Sequence, residues 1–153
     1  MKMRIKTLII LCFFFLQSCG YTPIYSNAND VNFNLRILEI VGDNEMNNIV
    51  ISEAKKYSKN SSNKIYDLKI TTNYQKNILS KNKKGEITNY LIKKEIIVQV
   101  INPEINKEFY FKDETQATNI DNQFEFKKYE VSIKNNFINS KIEELILKLS
   151  NFK

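Results

Sequence analysis

The residue with the most specific chemical setting in this 153-residue chain is Cys19. Lys2, Arg4 and Lys6 precede an uninterrupted apolar run over residues 8–16 (LIILCFFFL), which closes on Leu16-Gln17-Ser18-Cys19-Gly20. A basic start, a short apolar stretch and a small residue before the cut make the pattern of a secretory signal peptide over residues 1–18. The run is too short to cross a bilayer, which takes about 20 apolar residues. Cleavage ahead of Cys19 would also remove Cys12, so the mature chain would keep one cysteine and no disulfide.

A branched apolar residue three before the cut, a small residue one before it and a cysteine just after it resemble the lipobox of bacterial lipoproteins. The resemblance implies a diacylglycerol in thioether linkage on Cys19 and an acylated amino terminus, with no other cofactor. Two or three acyl chains, each contributing about 0.8 kcal/mol per buried methylene, make such an anchor effectively permanent. Gly20 stands where a lipoprotein retained in the inner membrane commonly carries Asp, which implies an outer-membrane location, lipid-anchored on the periplasmic side.

Elsewhere the composition closes more doors than it opens. With no histidine, the chain lacks Ser/His and Cys/His nucleophile pairs and nearly every zinc site that is not all-cysteine. No phosphate-cradling glycine loop, nucleophile elbow or metal spacing occurs. Asp113 with Glu114 and Glu143 with Glu144 are sequence neighbours, whose side chains diverge on a strand or around a helix, so neither is an acid/base dyad. A carboxylate-only envelope hydrolase is the remaining enzymatic option and ranks last; no catalytic or metal-binding residue is assigned.

The formal charge is +6, but the three basic residues of the signal peptide face no acidic ones there, so the mature chain carries only +3. That surplus is scattered rather than gathered into a stripe, which argues against nucleic acid as a partner. The Lys/Asn/Ile bias matches the codon usage of an AT-rich genome. One local concentration stands out: Lys76, Lys81, Lys83 and Lys84 fall on a turn-bearing segment, where lysines can pair with phosphates as point charges. A solvated turn presents the same residues.

The elements that must carry these residues follow from periodicity. Residues 19–32 read as a tether rich in Ser, Asn and Asp, followed by a single domain over 33–153. Alternation predicts a strand from Phe33 to Gly42, then Asp43 caps an amphipathic helix over 43–58, with Lys55, Lys56 and Lys59 near its end. A loop at 60–63 leads to a strand through Tyr66, Leu68, Ile70, Thr72 and Tyr74, a turn at 80–86 and a strand over 87–101. In the last, Lys94 interrupts an apolar face, and the length predicts a bulge near Lys93-Lys94-Glu95. A fourth strand over 107–114 carries Phe109 and Phe111 on one face. From about Asp121, apolar residues recur every three to five positions to the end, as in a helix. The order β-α-β-β-β-α predicts an α+β two-layer sandwich: a four-stranded, mainly antiparallel sheet with two helices on one face. Tyr66, Tyr74 and the Phe109/Phe111 pair read as packing residues.

The lipobox, the Gly20-Tyr21-Thr22-Pro23-Ile24-Tyr25 segment and this element order together resemble the LptE family of lipopolysaccharide-assembly lipoproteins. Gly85-x-x-Thr88-x-Tyr90 is similar to that family's Gly-x-x-Thr-Arg-Tyr, with Asn89 in place of the Arg, and Tyr129 opens the body of the last helix as family members do. The resemblance implies a non-enzymatic plug inside the LptD β-barrel that helps place lipopolysaccharide in the outer leaflet. An auxiliary lipoprotein of another envelope lipid-transport or outer-membrane assembly complex would share the lipobox and the small α+β domain.

Overall fold

The computed structural model describes residue 31, residues 33–58 and residues 64–152. The expected signal peptide, Cys19, nearly all of the expected tether, Lys59 and the expected 60–63 loop lie outside these residues.

The elements are β1 (Asn34–Gly42), α1 (Asn44–Lys56), β2 (Ile65–Lys81), β3 (Ile87–Asn102), β4 (Ile105–Thr118) and α2 (Gln123–Ser150). The sheet order is β1-β2-β3-β4, with β1 parallel to β2 and the other two pairings antiparallel. The expected α+β sandwich, with a mainly antiparallel sheet, is therefore the observed one. The single parallel pairing follows from the helix between β1 and β2, which returns the chain to the starting end of the sheet.

Local chemistry sets the transitions. Gly42 takes φ +115°, and a Cβ there would sit 1.8 Å from the Thr72 carbonyl oxygen, so only glycine lets β1 turn off the sheet into α1. Asp43 then caps α1, its Oδ1 accepting from the Met46 N–H at 2.8 Å. Asn122 does the same for α2, accepting from the Phe124 and Glu125 N–H groups at 3.0 and 3.3 Å.

The core lies between the helices and one sheet face. Tyr66, Leu68 and Ile70 of β2, Ile96, Val98 and Val100 of β3, and Phe109 and Phe111 of β4 pack against Met46, Val50 and Ala54 of α1 and Phe137, Ile138, Ile142, Leu145 and Leu149 of α2. Each such side chain contributes about 1.5–3 kcal/mol when fully buried. A smaller cluster, Ile92, Ala117 and Phe126, continues the core toward the β2–β3 turn.

Three expectations need correction. Val31, assigned to the tether, is buried in the main core, so the fold starts before Phe33. The bulge is absent at Lys93-Lys94-Glu95, where β3 pairs without a break on both sides. Instead the register shifts fall between Ile78 and Lys81 of β2 and between Ile37 and Glu39 of β1. Both neighbours of β3 are also long: β2 reaches Lys81 and β4 reaches Thr118, so β3 has partners along its whole length and no reason to break. Finally, Lys94 does not interrupt the inner face of β3; it is buried there, only 3% exposed.

Candidate functional site

The β2–β3 turn is built by one side chain. Asn82 Oδ1 accepts from the Lys84 and Glu86 N–H groups at 2.9 and 3.0 Å, and its amide donates to Glu86 Oε2 at 2.6 Å. Gly85 supplies the required positive φ of +85°. This fixed turn presents Lys81, Lys83 and Lys84, all exposed and without an ion pair among the described residues.

Lys76 does not share that tip. It stands five residues back on β2, about 17 Å along the strand. Its ammonium pairs with Glu130 Oε1 at 3.0 Å and lies over the rings of Tyr90 and Phe126, 5.3 and 4.8 Å from their centroids. The four lysines that the sequence groups together thus split into three at the tip and one held against α2. In Gly85-x-x-Thr88-x-Tyr90, each quoted residue serves the turn and the strand behind it. Thr88 Oγ1 meets Ser80 Oγ at 2.7 Å, and Tyr90 packs on Phe126 with ring centroids 5.2 Å apart. Tyr129 extends the same aromatic group, 6.3 Å from Phe126.

Between helices and sheet lies a polar network that periodicity does not reveal. Lys134 of α2, 3% exposed, donates to Asp43 Oδ1 at 3.0 Å and Glu45 Oε2 at 2.8 Å, and its ammonium sits 3.9 Å from the Tyr74 ring centroid. Tyr74 donates its hydroxyl proton to Glu130 Oε1 at 2.6 Å, the atom that also meets Lys76. Burial pushes the Tyr74 phenol far up, and the bond to Glu130 adds to it. Burial would raise Asp43 as well, but the Met46 N–H and Lys134 outweigh it and hold the carboxyl below its ordinary value. Glu45 is lowered by its hydrogen bond from Lys134, against an opposing desolvation, with Lys127 adding to the effect.

A second buried lysine, Lys94, contacts Asp113 Oδ2 at 2.6 Å and Thr115 Oγ1 at 2.8 Å and lies over Phe137. Its hydrogen bond is the main cause that keeps the Asp113 carboxyl low. Glu114 points the other way and pairs with Lys93 at 3.3 Å. Asp43, Glu45 and Asp113 are thus held ionised as salt-bridge partners, which suits them to fixing elements together rather than to donating protons.

The sheet face away from the helices is lined by hydrogen-bonding side chains. Glu95 accepts from the Asn73 amide at 3.3 Å and from the Tyr110 hydroxyl at 2.9 Å, a ladder crossing three strands. Gln99 donates to Asn106 at 3.2 Å, and Arg36 grips Asp67 with two bonds of 2.6 and 2.8 Å. Charges on this face are largely paired with each other, so it offers amides and hydroxyls more than net charge.

Neither a protein-family model nor a curated protein matches this chain. Solved structures do. The rare lipoprotein B from Shewanella oneidensis is similar with a TM-score of 0.50 at 14% sequence identity, over 74% of this chain and 92% of that one. The two chains share a fold. A lipoprotein B from Nitrosomonas europaea (TM-score 0.49, 14% identity, 81% of this chain and 88% of that one) and a minor lipoprotein from Acinetobacter baumannii (TM-score 0.49, 12% identity, 78% and 93%) are also similar. At 14% identity the likeness to rare lipoprotein B speaks to architecture and not to residue roles.

Proposed function

We propose that this chain is an outer-membrane lipoprotein, anchored through Cys19 on the periplasmic side, that plugs an LptD-type β-barrel and assists insertion of lipopolysaccharide into the outer leaflet. The observation that carries the reading is the fold shared with rare lipoprotein B over 92% of that chain, in a sequence that independently presents a lipobox. The uncovered sheet face supports it. A plug must hydrogen-bond to a polar barrel lumen without leaving charges unpaired, and the Asn73–Glu95–Tyr110 ladder with its flanking ion pairs meets that need.

Topology adds an orientation. Asn34 lies beside Ile65, so the chain enters the domain at the starting end of β2, whereas the tip lysines stand at the far end of that 17-residue strand. At about 3.3 Å per residue, roughly 50 Å separates the two. In this reading Lys81, Lys83 and Lys84, at the end of the domain away from the chain's entry, meet the phosphates of a lipopolysaccharide in transit.

The test is co-purification from detergent-solubilised outer membrane. The proposal expects a large β-barrel protein to accompany the chain in stoichiometric amount, and its absence overturns the plug. Separately, Cys19→Ser should abolish membrane attachment and processing. A variant that is still cleaved and still membrane-bound would overturn the anchor.

A further inference from the structure

Beside β1 runs an apolar groove of about 390 Å³, walled on one side by Leu35, Ile37, Leu38 and Ile40 of β1 and on the other by Ile51 and Ala54 of α1. Its construction is that of a strand-addition site: an open sheet edge with a helix alongside. β1 is hydrogen-bonded to β2 alone among the described strands, so its outer edge has no strand partner there. The Asn34 N–H goes to the Lys64 carbonyl at 2.8 Å, and alternation along the strand turns the Leu35 and Ile37 amides outward. The Ser58 hydroxyl closes the groove at one end by donating to the Leu35 carbonyl at 3.0 Å. Beyond it, the register shift leaves Leu38 out of the ladder, and Leu38 and Val41 are 51% and 46% exposed. An exposed apolar edge strand of this kind invites pairing.

We propose that the occupant is the chain's own segment 21–25, Tyr21-Thr22-Pro23-Ile24-Tyr25, added antiparallel to the outer edge of β1. Val31, buried in the core, fixes where the chain leaves the domain. Six residues lead back from Val31 to Tyr25, and four to six lead forward to Leu35 and Ile37; at about 3.3 Å per residue these spans match at roughly 13–20 Å. The link between them, Ser26-Asn27-Ala28-Asn29-Asp30-Val31-Asn32, is mostly turn-forming residues. Residues 21–25 then lie against Ile37 to Val41. Their alternation sets Tyr21, Pro23 and Tyr25 on one face, able to cover the apolar groove. Pro23, which has no N–H to give, is at home in an edge strand. A link this short holds the segment at an effective concentration in the millimolar range, which favours it over any strand arriving from solution.

Docking itself does not need the lipid. Its consequence, which rests on the anchor reading, is that only Gly20 would separate the acylated Cys19 from a segment fixed to β1, so the domain would be held with its β1 edge against the membrane instead of on a loose leash.

The experiment is amide hydrogen exchange on the full chain in detergent micelles, comparing the unaltered protein with a variant carrying Tyr21→Ser, Ile24→Ser and Tyr25→Ser. Exchange at Ile37 and Leu38 should be at least tenfold faster in the variant, while Ile96 and Val98 of β3 exchange alike in both and show that the fold is intact. Equal rates at Ile37 and Leu38 would overturn the proposal. So would slow exchange in both proteins that becomes faster on dilution, because that assigns the edge to a second copy. Loss of the barrel in co-purification, with slow exchange at β1 retained, would remove the plug and leave the docking in place.

Discussion

Inside the sandwich, Lys134 and Lys94 each neutralise named carboxylates, whereas Lys81, Lys83 and Lys84 at the β2–β3 tip meet no carboxylate among the described residues. The interior pair and the tip triplet are the same residue type in one lysine-rich chain, and only position separates a fastening from a candidate contact. The interior pair is itself unequal. The Lys134 side chain is 4% exposed and bridges two carboxylate side chains that are 26% and 31% exposed, while the Lys94 side chain is 3% exposed but faces an Asp113 side chain that is 47% exposed.

That inequality predicts different outcomes for the same substitution. Lys134→Met keeps the stem and removes the charge, leaving Asp43 and Glu45 beside an apolar contact; stability should fall by about 3 kcal/mol, the low end for breaking a buried pair, because both carboxylates retain some water. Lys94→Met should change stability by less than about 1 kcal/mol, since Asp113 can turn to solvent and a methionine suits the neighbouring Phe137 ring. Urea unfolding midpoints measure both. A larger loss at Lys94 than at Lys134 would break the comparison.

The same contrast extends to acid. Asp43 and Glu45 have folded-state pKa values below their ordinary ones: the Met46 N–H and Lys134 hold Asp43 down, and Lys134 with Lys127 holds Glu45 down. A depressed carboxylate contributes stability that is fully present above its unfolded value, about 4, and is lost as pH falls through the folded value. Stability should therefore drop steeply below about pH 4 in the unaltered protein. In Lys134→Met the drop should be shallower, because the share of the depression that Lys134 supplies has gone while the Met46 N–H and Lys127 remain. An unchanged acid slope in the variant would mean that the pair does not draw its stabilisation from Lys134.

How much of this was legible in the sequence depends on range. Gly42, Asp43 and the alternation of β2 and β3 act within a few residues of themselves, and they yielded the element order and the sandwich. Lys94 reads as a break in sequence because its partner, Asp113, lies on another strand, and pairing across a sheet leaves no local spacing to detect. Lys134 reaches Asp43 across 91 positions and went unmarked for the same reason. The length of β3 by itself predicts a bulge, but the lengths of β2 and β4 decide whether a long strand must break. Lys76 groups with the tip in sequence because the lysines of residues 76–84 read as one segment, whereas in the fold Lys76 lies within β2, paired to β3 and held by Glu130 of α2.

The smallest expected effect on stability falls at the tip and is the most informative about function. Replacing Lys81, Lys83 and Lys84 together by serine removes three charges from an Asn82-built turn that uses none of them, so the unfolding midpoint should move by no more than about 0.5 kcal/mol. If these lysines meet lipid A phosphates, three exposed charge pairs at about 0.5 kcal/mol each amount to roughly a tenfold loss of lipopolysaccharide affinity. The affinity difference should shrink as salt is raised, because exposed pairs are screened over about 10 Å at 0.1 M. Equal affinity at low salt would return the triplet to an ordinary solvated turn. Lys76→Ser, made beside it, separates the two populations once more: it strips Glu130 of a partner and the Tyr90 and Phe126 rings of their cation, so it should lower stability while leaving the salt dependence of binding as it was.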